Sequence, residues 1–122
     1  MTTKNPVPKD NTTFGNFEPK EVLIWLDGPR TFTLLDQDEQ LCLAHWLREV
    51  GELWQYVVVR VNDNILRELH DGERSLREAL QQPIVYLVDV RPDFSVESAH
   101  QTAWESLPQD ALPMPGTMIR RE

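Results

Sequence analysis

The sequence predicts an α+β fold: an antiparallel sheet of about five strands, with a short helical pair packed on one face. Runs rich in β-branched and aromatic residues alternate with short polar turns through the first half of the chain. Between residues 62 and 82 the apolar residues switch to helical spacing. A strand-like run then resumes at Ile84, after Pro83 has stopped the second helix.

Each element follows from local chemistry. Glu21 to Asp27 is apolar on both alternating sets, which suits a strand covered on both faces. Gly28-Pro29 breaks it with a turn. Thr31 to Leu35 is a second strand, rich in β-formers. The polar run Asp36-Gln37-Asp38-Glu39 lacks the loop glycine and the distal bidentate glutamate of a calcium loop, so it reads as a hairpin turn. Gln40 to Leu47 is a third strand, although Leu41, Leu43, Ala44 and Leu47 also fit a short helix. Gly51 marks a turn before the clearest strand, Leu53 to Val61. Turns this short imply an antiparallel meander.

Asn62-Asp63-Asn64 offers helix caps, Ile65, Leu66 and Leu69 form the apolar stripe, and Gly72 ends the helix. Ser75 and Glu78 form a capping box ahead of Leu76, Ala79 and Leu80. Ile84 to Val90 is the fifth strand, and Phe94 to Thr102 is a sixth, edge strand or an irregular segment. Around a single domain at 20–105, residues 1–19 read as a flexible arm and 106–122 as a proline-rich strap. Phe14 and Phe17 are either docked or exposed. Leu107, Leu112, Met114, Met118 and Ile119 favour a strap lying on the domain over a loose tail.

Composition narrows the function. The hydrophobic fraction of 40% supports a packed core, and the net charge is −8. All three lysines, Lys4, Lys9 and Lys20, fall in the first twenty residues. Such acidity repels phosphate backbones and suits another protein with a basic surface. There is no apolar run near the roughly 20 residues of a membrane-spanning helix, and no export signal precedes the domain. The single Cys42 excludes an intramolecular disulfide. These features point to the cytoplasm and away from membranes.

No catalytic constellation stands out, so the chain reads as a non-enzyme without cofactors. His45, His70 and His100 are widely separated, and Cys42 lies in an apolar strand as an inert thiol. Ser75 has a sufficient role as a helix cap, and no lysine follows Lys20 to serve a metal-dependent nuclease. Asp27 and Arg30 flank one turn and are placed to pair across it; Asp89 and Arg91 sit at another strand end. Trp25, Trp46, Trp54 and Trp104 are expected mostly in the core, with one or two partly exposed. A face that they share with Tyr56 or Tyr86 is the expected binding surface.

Several motifs occur in order: Trp25-Leu26-Asp27-Gly28-Pro29-Arg30, Tyr56-Val57-Val58-Val59, Leu66…Leu69…Gly72, and Ser75-Leu76-Arg77-Glu78-Ala79-Leu80…Pro83. Over roughly residues 22–90 this order resembles a family of small bacterial and phage domains of unknown function, marked by an aspartate-glycine-proline turn and an S-L-R-E-A-L helix. The resemblance implies a fold and a bacterial or phage origin, and it carries no activity to transfer.

The sequence therefore points to a non-catalytic protein-binding or regulatory module, set by analogy in phage–host or toxin–immunity conflict. Its candidate residues are Trp25, Asp27, Arg30 and Trp54, together with Glu68, Asp71 and Glu73 on the helical pair. The alternative is a small-ligand sensor with a pocket between sheet and helices near Asp27 and Arg30. An enzyme using Asp27, His45 or Asp89 ranks third.

Overall fold

The computed structural model describes Phe14 and residues 17–119. Six strands form one antiparallel sheet in chain order: β1 (Glu21–Trp25), β2 (Pro29–Leu35), β3 (Leu41–Val50), β4 (Leu53–Arg60), β5 (Val85–Val90) and β6 (Val96–Thr102). Helices α1 (Asp63–His70) and α2 (Leu76–Leu80) are inserted between β4 and β5. Two short 3-10 turns, Trp104–Ser106 and Gln109–Ala111, follow β6.

The α+β class holds, with six strands where about five are expected. The added strand is β6, which pairs with β5 from Val85↔Thr102 to Val90↔Val96. Its sequence is weakly patterned because an edge strand buries little; Ala99 is its one fully buried residue. The third segment is a strand, running to Val50. The sheet takes its residues alternately, Leu43 to one face and Cys42 and Ala44 to the other, which a helix would not do.

One face of the sheet carries Leu43, Leu47, Val57, Val59 and Val85. Leu69 of α1 and Leu76, Ala79 and Leu80 of α2 pack onto it, as do Trp104, Leu107, Leu112 and Ile119 of the C-terminal segment. The helix starts are capped as their sequences require. The Asn62 side chain accepts from the Ile65 amide at 2.8 Å. Ser75 Oγ accepts from the Glu78 amide at 3.2 Å, and the Glu78 carboxylate accepts from the Ser75 amide at 2.9 Å. The C-terminal strap is tied down by the Leu76 amide donating to the Thr117 carbonyl (2.8 Å) and by Arg77 donating to the Pro113 carbonyl (3.0 Å). Residues 120–122 of the expected strap lie outside the described residues.

The other face is aromatic, and among the described residues no helix packs on it. Phe32, Leu34, Cys42, Ala44, Tyr56, Val58, Val88 and Val90 line it. Its cover comes from Phe14 and Phe17, each only 2% exposed, and from Phe94 at the β5–β6 turn. The Phe17 ring lies 5.1 Å from Tyr56 and 5.4 Å from Phe32, and Phe14 lies edge-on to Tyr86 at 5.4 Å. Of the two readings of Phe14 and Phe17, docked or exposed, the structure shows the docked one. The other residues of the expected flexible arm, 1–13, 15 and 16, lie outside the described residues. Among the described residues, no helix is long and apolar enough to cross a membrane.

Candidate functional site

A meander places alternate turns at the same end of the sheet. The β1–β2, β3–β4 and β5–β6 turns therefore cluster, and the first of them is built most elaborately. Asp27 and Gly28 both have positive φ, 56° and 133°. Asp is among the few side chains that tolerate this region. Gly28 is needed for a second reason: a Cβ there would sit 3.0 Å from the Trp54 ring. Tyr56 Oη donates to the Pro29 carbonyl at 2.8 Å, and Arg30 Nε donates to the Leu26 carbonyl at 2.6 Å. The Leu26 amide closes the turn on the Gly28 carbonyl at 2.9 Å.

This rigid turn holds two large apolar side chains in solvent. Trp25 is 68% exposed and Leu26 is 64% exposed. The same end of the sheet holds a cleft of about 380 Å³ walled by Trp54, Phe94, Pro29 and Pro92. Asp27 from the first turn, and Glu49 and Glu52 from the β3–β4 hairpin, add three carboxylates to its lining. Among the described residues none of the three forms an ion pair. Arg91 also lines the cleft, but its guanidinium is held by Glu97, Ser95 Oγ and the Val96 carbonyl.

The candidate residues separate into two groups. Asp27 and Trp54 meet in the cleft; Trp25, the last residue of β1, is two positions before Asp27 and is not part of the lining. Arg30 sits behind, its guanidinium 4.1 Å over the Trp46 ring and 4.6 Å over Trp54. The expected Asp27–Arg30 ion pair is absent; stacking on two indoles and the Leu26 carbonyl hold the guanidinium instead. Trp46 and Trp54 share the aromatic face with Tyr56 and Tyr86, and both are partly buried. Trp46 Nε1 is buried without a hydrogen-bond partner among the described residues.

Glu68, Asp71 and Glu73 belong to the helical layer on the other face. Their charges are answered internally: Glu68 pairs with Arg74 at 2.6 Å, and Arg67 reaches Asp71 at 3.7 Å and Glu73 at 3.9 Å. Glu49, Glu52 and Phe94 are the members of the site that the sequence does not single out. Two carboxylates flanking Gly51 were the available signal for Glu49 and Glu52. Nothing local marks Phe94, whose φ of 70° is visible only in the fold.

Other polar groups are committed to the scaffold. Arg48, Gln55, Asp89 and Ser98 form a cross-strand ladder. Arg48 donates to Gln55 Oε1 (3.0 Å), while Gln55 Nε2 and Ser98 Oγ donate to the Asp89 carboxylate at 3.0 and 3.1 Å. Asp36 accepts from the Asp38 and Gln40 amides and pairs with Arg60 at 2.9 Å, which fixes the β2–β3 turn. Burial pushes the Cys42 thiol up to about 12, with Asp36 adding to the effect, so the thiolate is disfavoured. Burial lowers His45 to about 4, and its Nδ1 lies 2.8 Å from Thr31 Oγ1. Among the described residues, no three His, Cys, Asp or Glu side chains converge to hold a metal ion.

The fold and site define a class: an open antiparallel α+β module with an acidic, aromatic loop end. No protein-family model, curated protein or solved structure matches the chain.

Proposed function

We propose that the chain is a non-catalytic protein-binding module that recognises a basic partner through its loop end. The observation that supports this most is the pair Trp25 and Leu26, exposed next to an internally bonded turn at the end of the sheet where Asp27, Glu49 and Glu52 form no ion pair among the described residues. A Trp is a costly side chain to expose and is enriched at binding hot spots. Unanswered carboxylates around it would steer and orient a cationic surface. The helical face, by contrast, has answered its own charges, so it offers a partner less.

The same acidity disfavours a nucleic-acid partner. A role in phage–host or toxin–immunity conflict is the biological setting we attach to this reading, from the family resemblance and the small acidic scaffold. The sensor alternative calls for a pocket between sheet and helices near Asp27 and Arg30; the cleft at Asp27 has no helix residue in its lining, so a small ligand would have to enter at the loop end instead.

A photo-crosslinking residue at position 25, compared with one at exposed Glu105, tests the proposal in the native cells. The expected result is a protein adduct at position 25 that is absent at 105 and lost in the Asp27→Asn, Glu49→Gln, Glu52→Gln variant. Equal adducts at both positions, or adducts to nucleic acid, would overturn it.

A further inference from the structure

We propose that the loop-end cleft is a receptor for one guanidinium group, the side chain of an arginine on the partner. This rests on the reading of the chain as a binder of basic surfaces, and it names what that surface must present. Size comes first. At about 380 Å³ the cleft lies near the lower end of ligand pockets, about 300–1,000 Å³. That suits one long side chain better than a cofactor.

Charge comes second. A cation entering the cleft meets Asp27 from one turn and Glu49 and Glu52 from another. The cleft's own cation, Arg91, is already answered by Glu97. Arg30, stacked on Trp54 with no carboxylate partner among the described residues, offsets part of this charge. Three carboxylates against it still leave an excess of negative charge that an entering cation complements. The walls are the third point. Trp54 and Phe94 line the cleft together with those carboxylates, and aromatic side chains beside anionic ones favour a cation partly stripped of water.

The molecule contains its own precedent for the choice of cation. The indole of Trp54 already serves as a platform for the Arg30 guanidinium at 4.6 Å, with Trp46 beside it. A planar guanidinium also presents a fork of donors that carboxylates from two turns receive together, whereas an ammonium is a compact and more strongly hydrated point charge. The preorganised Asp27-Gly28 turn lowers the ordering cost of binding.

The test uses full-length protein, a capped Gly-Arg-Gly-Arg-Gly peptide, and matched lysine and citrulline peptides, with indole and amide NMR signals as the readout. Citrulline keeps the shape of arginine and removes its charge. The arginine peptide is expected to shift the Trp54 indole and Gly28 amide signals with a Kd below about 1 mM at low salt. Citrulline should bind at least about tenfold more weakly and lysine several-fold more weakly. The Asp27→Asn, Glu49→Gln, Glu52→Gln variant should lose at least about tenfold at an unchanged melting temperature. Asn tolerates the positive φ of position 27, so the turn is expected to survive.

Citrulline binding equal to arginine, or arginine shifts that leave Trp54 and Gly28 silent, would overturn the receptor. Lysine equal to arginine at the cleft would overturn the guanidinium preference while supporting a basic partner. Silence toward every cationic peptide at low salt would overturn both readings.

Discussion

The two faces of the sheet are covered by different means. On one face the chain between β4 and β5 folds into two capped helices, and the segment after β6 closes over them. The helices are joined to the sheet at both ends, and the C-terminal segment is bonded to α2 by the Leu76–Thr117 backbone hydrogen bond. On the other face, cover comes from Phe14 and Phe17, which precede β1, and from Phe94 in a turn. The first face is sealed by regular structure, the second by individual aromatic rings. A helix layer spends its charges on its own arginines, whereas a ring-covered face leaves a cleft and unanswered carboxylates where the rings end.

The largest expected effects test whether the two covers are independent. Phe17→Ala should cost about 3 kcal/mol, the usual range for a fully buried aromatic ring. Leu80→Ala on the helical face should cost a similar amount, about 3 kcal/mol. Because the sheet separates them, the two losses should add. Phe14→Ala, however, should cost much less on the Phe17→Ala background than alone, since the two rings pack edge-on against each other at 6.2 Å. Denaturant titrations of the single and double variants measure this. Additive Phe14 and Phe17 losses would show that the rings dock separately.

Acid should weaken the fold by a route that runs through the helical face. His45 takes up its proton near 6.5 when unfolded and near 4 when folded, so the unfolded state binds more protons between these values. Its contribution is complete above pH 6.5 and is lost as pH falls toward 4, by up to about 3 kcal/mol. Stability measured across that window should fall for the wild type and flatten in His45→Gln. An identical slope in the variant would assign the loss to other groups.

Ser75→Ala should remove one N-cap bond and cost about 1 kcal/mol, lowering the denaturation midpoint without changing its slope. The smallest effect belongs to Glu68→Lys. It breaks the half-exposed pair with Arg74 and sets two cations together, for a loss below about 1 kcal/mol that shrinks with added salt. Reversing Glu68, Asp71 and Glu73 together is therefore expected to disturb the helical pair itself.

Much of the fold was legible because it is local. The capping box at Ser75 and Glu78 needs only residues three apart, and it is present atom for atom. The run from Leu53 to Arg60 is a strand because β-branched side chains pack well on a pleated surface. The β6 edge was harder, since Val96 to Thr102 buries one residue fully and so leaves little pattern. At the site, Asp27 and Trp54 were legible as residue types, but the ion pair expected between Asp27 and Arg30 was not what formed. Proximity in sequence favoured Asp27 as the partner, while the packed sheet offered Arg30 two indole faces.

By itself, the sequence determined the periods, the caps, the turn positions and the acidic balance. Each depends on residues a few positions apart and on the conformational limits of Gly, Pro, Asp and Asn. Only the tertiary structure decided which charges answer one another and which aromatic rings cover a face. Arg30, Trp46 and Trp54 meet because β2, β3 and β4 are neighbours in register. Asp27, Glu49 and Phe94 converge because alternate turns of a meander share one end. Those distances are set by strand pairing across tens of residues, and no local rule of side-chain chemistry reaches that far.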